Sequence, residues 1–438
     1  AKLPAAAAPL AGGGAGTRDR ATTREALDGA RRPRKAADRV ASPCVRGKIA
    51  AAMGLLEVAG LATMWVSLAY VTIANATRFW TCEERTLVLL RNMIPIVSFA
   101  LALAGTPDFP VDFALPCLGL LFVSDTYNKA IRGVPYKKVD LAGRVFVVTG
   151  ANTGIGFETA RSIAAMGGVV IMGCRSMDKA EKARARILEL TGVPETNVRV
   201  SRLDLCSFES VRGFVRAFEE TGLPLHCLIN NAGMMLSERT ETSGGVEMTM
   251  AANHFGHFLL TALLLPKLEQ NEDGRVVNVA SSLHKIPKAL RTEDVMWTEG
   301  YSLFGAYSQS KLVNVAFTLE LERRLRARGS SVHANAVHPG LVLTEVTRHM
   351  HWALRAGEAV TAPLQRLFRK TPEQGSWTSL HAATAEELKG RGGLYLVHCK
   401  EQAHNPAADD PKAVAQLWHL SEEVCGLAPA ERAVWTCT

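Results

Sequence analysis

From Val145 onward, short apolar, β-branched runs recur at Val145–Thr149, Val169–Met172, Val198–Leu203, Cys227–Asn230, Val276–Ala280 and His333–Val337. Between them lie helix-length amphipathic or charged stretches such as Asp178–Leu190 and Ser207–Glu220, and the leucine-rich run Leu259–Leu268, which reads as a core helix. Strands that are apolar throughout, rather than at alternate positions, are buried on both faces. Their alternation with helices predicts an α/β fold built on a doubly wound parallel sheet. No internal repeat at a period of about 20–50 residues is present, which excludes a solenoid.

Upstream the pattern changes. Residues 1–47 are rich in Ala, Gly, Arg and Pro and hold almost no large apolar side chain before Val40. They cannot bury enough surface to offset chain entropy and are expected to be a disordered basic tail. Residues 48–126 read as a hydrophobic membrane-anchoring region. Val58–Thr77 is a 20-residue stretch without a charge, long enough to cross a hydrocarbon core of about 30 Å as a helix. Leu87–Pro107 is interrupted by Arg91 and Pro95, and Phe113–Ser124 has only 12 residues. These two read as a second span and a re-entrant piece, or as a short hairpin in the membrane surface; the rival assignment makes all three segments buried helices of a soluble domain. The folded domain then occupies 127–428, and 429–438 is a short tail.

Composition adds two exclusions. A net charge of +8 suggests nucleic acid, but residues 1–48 carry eleven Lys/Arg against four Asp/Glu, so seven of the eight excess charges sit in the tail. The remainder is nearly neutral and lacks aromatic residues interleaved with basic ones, and nucleic acid is discarded as a partner. The nine cysteines are scattered, with no C-x-x-C and no His at metal-ligand spacing. Neither a disulfide framework nor a metal site is expected; buried, reduced thiols in a reducing compartment are.

The first strand runs straight into Thr149-Gly150-Ala151-Asn152-Thr153-Gly154-Ile155-Gly156, and a helix opens at Phe157. Glycines permit a tight turn and close backbone approach to a pyrophosphate, whose charge meets the free N–H groups and positive end of the helix. Strand, glycine loop, helix and second strand in that order predict a Rossmann-type dinucleotide site, with Gly150, Asn152, Thr153, Gly154, Ile155 and Gly156 in its phosphate loop. The second strand ends at Gly173-Cys174-Arg175-Ser176, with no acid before Asp178. A guanidinium there favours the 2′-phosphate of NADP(H); NAD(H) is the alternative if Arg175 is only a solvated surface residue. Asp204, followed by Leu205 at the end of the third strand, reads either as a partner of the adenine amino group or as the N-cap of the helix beginning near Ser207.

Tyr307-Ser308-Gln309-Ser310-Lys311 sets a phenol and an ammonium at i and i+4, neighbours on one helix face. A free phenol titrates near 10, and a fixed cation nearby favours the phenolate, which would make Tyr307 a general acid/base. Taken with the glycine loop, with Asn230-Asn231-Ala232-Gly233 after the fourth strand and Val277-Asn278-Val279-Ala280-Ser281-Ser282 after the fifth, the chain resembles the short-chain dehydrogenase/reductase family motif by motif from about Gly143 to about Leu427. The resemblance implies that Ser281 orients the substrate oxygen, with Ser282 as its rival, and that Tyr307 transfers the proton. It implies that Lys311 holds the nicotinamide ribose and lowers the Tyr307 pKa, and that Asn253 in Ala252-Asn253-His254-Phe255-Gly256 anchors a proton-relay water. It further implies cofactor contacts from Asn231, Ala232 and Gly233 and, after the sixth strand, from Pro339, Gly340 and Thr344. His254, His257, His284 and His338 read as helix-face or loop histidines, and Asn314 as a helix-face residue without a role.

Asn253-His254-Phe255-Gly256-His257-Phe258 and the 26-residue separation of Ser281 and Tyr307 resemble the retinol-dehydrogenase-like branch of that family. His351-Trp352-Ala353, the run from Arg369 to Ser379, Gly392-Gly393-Leu394-Tyr395-Leu396 and Gln416-Leu417-Trp418 are similar to the polyprenol dehydrogenases within it, which interconvert long isoprenoid alcohols and their carbonyl forms. A lipophilic substrate has physical support too. Val346–Phe368 combines Met350, Trp352, Leu354, Leu364, Leu367 and Phe368 with Arg348, Arg355 and Arg366, a pattern suited to a bilayer interface or to a lid over the pocket. The expectation is an NADP(H)-dependent oxidoreductase of lipophilic alcohols or carbonyls, in contact with membrane lipid and compatible with a homodimer. Its rivals are a membrane-tethered NADP(H)-binding scaffold or redox sensor without turnover, and a reductase of steroids or small carbonyls. By the positive-inside rule the basic tail stays cytosolic, and two spans return the catalytic domain to the cytosolic side of an endoplasmic-reticulum-type membrane; an organelle transit peptide is the other reading of the leader.

Overall fold

The apolar runs become parallel strands: β1 (Val145–Thr149), β2 (Val169–Cys174), β3 (Val198–Arg202), β4 (Cys227–Asn230), β5 (Arg275–Val279) and β6 (His333–His338). The computed structural model describes residues 135–342 and 370–435. The basic tail, the three hydrophobic segments and the stretch Val346–Phe368 lie outside the described residues. The strands alternate with α1 (Gly154–Ala165), α2 (Met177–Thr191), α3 (Phe208–Glu220), α4 (Gly256–Leu268) and α5 (Leu303–Ala327); α6 (Pro372–Thr384), α7 (Pro411–Val424) and α8 (Pro429–Arg432) follow. The sheet runs β3-β2-β1-β4-β5-β6, then β7 (Tyr395–Val397) and β8 (Lys400–Glu401), parallel throughout except for the last pair. Strand order reverses between β1 and β4, and the crevice outside their carboxyl ends is where such sheets hold ligands.

Local sequence explains the helices. Ser207 caps α3 by accepting the Ser210 N–H, and Val211, Phe214, Val215 and Phe218 then fall on one buried stripe. Thr371 and Gln374 form a reciprocal capping box at α6, with Pro372 in its first turn. α4 carries buried residues nearly all round, including Phe258, Leu259, Leu260, Leu264, Leu265 and Leu268. Together with the turns before it, over Met248–Leu268, it is apolar and long enough to cross a membrane by composition, yet it lies inside the protein as the expected core helix. A buried polar ladder crosses the same core: Asn230 Nδ2 donates to Asn278 Oδ1 (2.8 Å) and Thr261 Oγ1 (3.0 Å), and Asn278 Nδ2 donates to Thr318 Oγ1 (2.9 Å).

Two features depart from the expectations. β7 and β8 form a hairpin whose turn residues, His398 and Cys399, both have positive φ, +53° and +59°. That geometry is ordinarily signalled by Asn-Gly or a similar pair, so nothing in the sequence announces it. The tail expected from 429 is instead packed as far as Trp435, which is 2% exposed. Its ring meets Trp418 edge-on at 5.1 Å and Phe258 at 5.5 Å, and Arg212 pairs with Glu431 beside it. Burying so large an aromatic surface offsets the cost of ordering the segment, and the folded domain therefore extends past 428. Among the described residues Cys174, Cys206, Cys227, Cys399 and Cys425 form no disulfide.

Candidate active site

Gly150 (φ +65°) and Gly154 (φ +58°) adopt the left-handed conformation that the loop after β1 requires. A Cβ on Gly156 would stand 2.4 Å from the Gly150 oxygen and 2.5 Å from Asn231 Nδ2, so only glycine lets α1 start this close to the strand ends. Asn231 Nδ2 donates to the Thr149 carbonyl (2.8 Å), and the N–H groups of Asn231 and Ala232 both donate to Thr149 Oγ1 (2.9 Å each). Thr153, the N-cap of α1, makes no side-chain capping bond. The first-turn N–H groups, with Asn152 and Ile155 around them, are thus left to an anion, and the donor set fits the phosphates of a dinucleotide. Arg175 is exposed one residue beyond β2. Asp204 accepts the Cys206 N–H at 3.0 Å and is not the cap of α3, a role Ser207 takes. The Leu205 backbone packs on Gly256, where a Cβ would come within 2.4 Å of the Leu205 oxygen.

The second group of residues stands at the ends of β4, β5 and on α5. Ser281 is the hydrogen-bonding side-chain neighbour of the Tyr307 phenol, and its hydroxyl accepts the Leu283 N–H at 3.3 Å. Its rival Ser282 is exposed, with its N–H donated to His338 Nδ1 at 3.2 Å. Lys311 is buried; its Nζ donates to the Val279 carbonyl at 2.9 Å and stands 5.6 Å from the centre of the Tyr307 ring. Burial pushes the Tyr307 phenol up to about 12, despite the Ser281 hydrogen bond, and the Lys311 ammonium down to about 8. This corrects the expectation that Lys311 brings the phenol down. The ammonium addresses the ring and a carbonyl rather than the hydroxyl, so desolvation prevails and Tyr307 keeps its proton near neutrality.

Asn253 sits in a π-helical turn, Ala251–Phe255, immediately before α4. Its Oδ1 accepts the Met234 N–H (2.8 Å), and its Nδ2 donates to the Met234 carbonyl (3.0 Å) and to Ser310 Oγ (2.9 Å). Ser310 in turn donates to the Tyr307 carbonyl at 2.7 Å. A Cβ on Gly233 would lie 3.4 Å from Asn253 Oδ1 and 3.5 Å from Lys311 Nζ, so these three residues share one spot. The strand ends thus gather Gly150, Asn152–Gly156, Asn231–Gly233, Asn253, Ser281, Tyr307 and Lys311. Pro339 and Gly340 follow β6, and Thr344 lies outside the described residues.

Several supporting residues had no signal in the sequence. All four histidines read as helix-face or loop residues are buried. His284 Nδ1 donates to the Ser281 carbonyl at 2.6 Å while its Nε2 accepts the Asn405 N–H at 3.2 Å, so a residue of the C-terminal region fixes the backbone of Ser281. Asn314 Nδ2 reaches the same Val279 carbonyl as Lys311, at 3.5 Å. Lys370 lies under Gly340, its Nζ 2.8 Å from His398 Nδ1, and burial pushes it down to about 8.

A profile of the family described as short chain dehydrogenase matches residues 144–353. Retinol dehydrogenase 12 of Bos taurus is 42% identical over 298 residues, spanning 67% of this chain and 90% of its own. Polyprenol dehydrogenase of Homo sapiens is 41% identical over 290 residues, 65% of this chain and 86% of its own. Retinol dehydrogenase 11 of Mus musculus is 39% identical over 317 residues, 72% and 96%. Among solved structures, an uncharacterized protein of Mycobacterium paratuberculosis is 34% identical with a TM-score of 0.53, covering 67% of this chain and 98% of its own. With the phosphate loop, the Ser281–Tyr307–Lys311 group and these relatives in agreement, the chain belongs to the short-chain dehydrogenase family, as an NAD(P)-dependent oxidoreductase acting on CH–OH groups.

Proposed function

We propose that the protein interconverts alcohol and carbonyl groups on a lipophilic molecule, a polyprenol-type isoprenoid or a retinoid, with NADP(H) as the favoured cofactor. The observation that carries this reading is the grouping of Ser281 beside the Tyr307 phenol with the buried Lys311 ammonium 5.6 Å from the centre of the Tyr307 ring. Two hydroxyls so placed bracket the oxygen of a substrate carbonyl. Tyr307, protonated near neutrality, gives its proton to that oxygen in reduction and takes it back in oxidation. Lys311 supplies positive charge beside the ring when the phenol is deprotonated in turnover, and Asn253 fixes α5 against the loop after β4. The dinucleotide, when bound, supplies or accepts the hydride. Its phosphates would be held by the N–H groups of the loop from Gly150 to Gly156, and a 2′-phosphate by Arg175.

Three observations support a lipophilic substrate. The relatives are named for retinol and polyprenol. Ile286, Phe304 and Leu341 are 60, 57 and 68% exposed, and they stand five residues past Ser281, one turn before Tyr307 and next to Gly340. Val58–Thr77 has the length and composition of a membrane span; in this reading a hairpin anchor keeps the catalytic domain on the cytosolic side of an endoplasmic-reticulum-type membrane.

The test is turnover by the full-length protein of polyprenals, retinals, steroids and soluble aldehydes with NADPH or NADH, products being identified by mass spectrometry. Reduction of polyprenals or retinals well above soluble aldehydes is expected; NADPH binding with no turnover across the panel would overturn the enzyme reading in favour of a scaffold. Arg175→Asp should raise the KM for NADPH about tenfold more than that for NADH, since the 2′-phosphate would face a like charge. An unmoved preference means that the phosphate is held elsewhere.

A further inference from the structure

Thr149 lies at the start of the phosphate loop and Asn253 beside the catalytic helix, and one buried side chain touches both. His257 Nε2 is 2.8 Å from Thr149 Oγ1, and its Nδ1 is 3.3 Å from the main-chain oxygen of Asn253. The residue is 3% exposed. It stands in the first turn of α4, a helix buried on nearly every side, where an imidazole is costly unless its nitrogens are satisfied.

The hydrogen-bond inventory settles which nitrogen carries the hydrogen. Thr149 Oγ1 already accepts two backbone N–H groups, from Asn231 and Ala232, so both its lone pairs are taken and its own hydrogen is free to give. His257 Nε2 is the near acceptor; the Ile229 carbonyl stands at 3.5 Å. Nε2 therefore accepts, Nδ1 bears the hydrogen, and that hydrogen is donated to Asn253. The other tautomer would press an N–H against a saturated oxygen and face an Nδ1 lone pair to a carbonyl. A second proton is resisted by burial and by the nearby Lys311.

We propose that His257, as its neutral Nδ1–H tautomer, is a positioning residue that couples the phosphate loop to the catalytic helix, setting Thr149 through one nitrogen and the Asn253 main chain through the other. The inference rests on the roles of Tyr307 and Asn253 in the reaction proposed above. From Thr149 the contacts continue to Ala232, which packs on Gly150, and to Asn231, which packs on Gly156; from Asn253 they continue through Ser310 to Tyr307. One imidazole thus fixes the cofactor loop relative to the proton donor.

Asparagine and glutamine divide the two functions, because the asparagine amide overlays Nδ1 and the glutamine amide overlays Nε2. His257→Asn should keep kcat within about twofold and raise the KM for NADPH about fivefold; His257→Gln should hold that KM and lower kcat about tenfold; His257→Leu should do both. Identical losses in all three variants, or a lower melting temperature with kcat and KM unchanged, would make His257 a packing residue and overturn the proposal. A second readout does not depend on turnover. Long-range ¹H–¹⁵N spectra of the histidine-labelled full-length protein, with the His257 signal identified by its loss in His257→Gln, should show the Nδ1–H pattern unchanged between pH 5 and 9. An Nε2–H pattern, or titration in that range, overturns the coupling whatever the activity. Failure of the underlying reaction is read separately, as turnover that survives Tyr307→Phe.

Discussion

The two ends of the parallel sheet are furnished with the same kinds of polar residue and use them in opposite ways. At the amino end, Arg275 is buried but fully engaged: it pairs with Asp273 at 2.6 Å and donates to the carbonyls of Ala382 (3.3 Å) and Ala385 (2.9 Å). Nearby, Asn271 Nδ2 donates to the Leu225 carbonyl at 2.7 Å, and His226 Nδ1 accepts the Val145 N–H at 3.0 Å. At the carboxyl end, Lys311 has carbonyl oxygen but no carboxylate among the described residues, and Tyr307 and Lys311 both titrate far from their ordinary values. Burial of polar groups therefore does not mark a site. Burial that leaves a charge or a proton uncompensated does.

The contrast can be broken by substitutions at either end. Tyr307→Phe should lower turnover by about 10²–10⁴ while the cofactor dissociation constant stays within a few fold, since the group acts on the reacting proton. Steady-state rates with a cofactor titration check this, and unchanged turnover would remove Tyr307 from the chemistry. Arg275→Met should cost about 3 kcal/mol of stability, because it strands Asp273 and two carbonyls, yet leave kcat of the folded fraction unchanged. Denaturant unfolding beside the same assay reads both; a kcat loss as large as that of Tyr307→Phe would erase the distinction between the ends.

The smallest effect sharpens the comparison through pH. Burial, aided by His257, holds His254 neutral with a pKa of about 3, against about 6.5 for an unfolded histidine. Between those values the unfolded chain binds the extra proton, so stability present above pH 6.5 is lost as pH falls toward 3. At pH 5.5 one such group costs about 1 kcal/mol relative to neutral pH. His254→Gln should flatten the acid slope of stability by that amount. His226→Gln at the amino end should flatten it less, since His226, also lowered by burial, is only partly buried. Equal slopes in the two variants would contradict the difference in burial.

What was legible in the sequence is what chemistry encodes at fixed spacing. Gly150, Gly154 and Gly156 announce a loop because no other residue meets its conformation and contacts, and Tyr307 with Lys311 announce a shared helix face. Six strands were legible to within one or two residues because burial on both faces writes an uninterrupted apolar run. His257, His284 and Trp435 were opaque for one reason: their partners are remote in the chain, 108 residues away for Thr149 and His257 and 121 for His284 and Asn405. The direction of the Tyr307 shift was misread on the same account, since desolvation is set by what the fold packs around the ring. β7 and β8 were missed because three residues and two residues are too short to carry a period.

Both edges of the described sheet are built against growth. β3 puts Arg199 and Arg202 among its five residues, and β8 is only Lys400 and Glu401, both exposed. An edge that is short or charged is a poor template for another strand. Strand-by-strand addition, the route by which open sheets recruit a second copy or nucleate fibrils, is thereby disfavoured at either side. Among the described residues a homodimer would instead use faces other than the sheet edges, and α4 is a poor candidate for it because Trp418 and Trp435 of the same chain already cover Phe258 there.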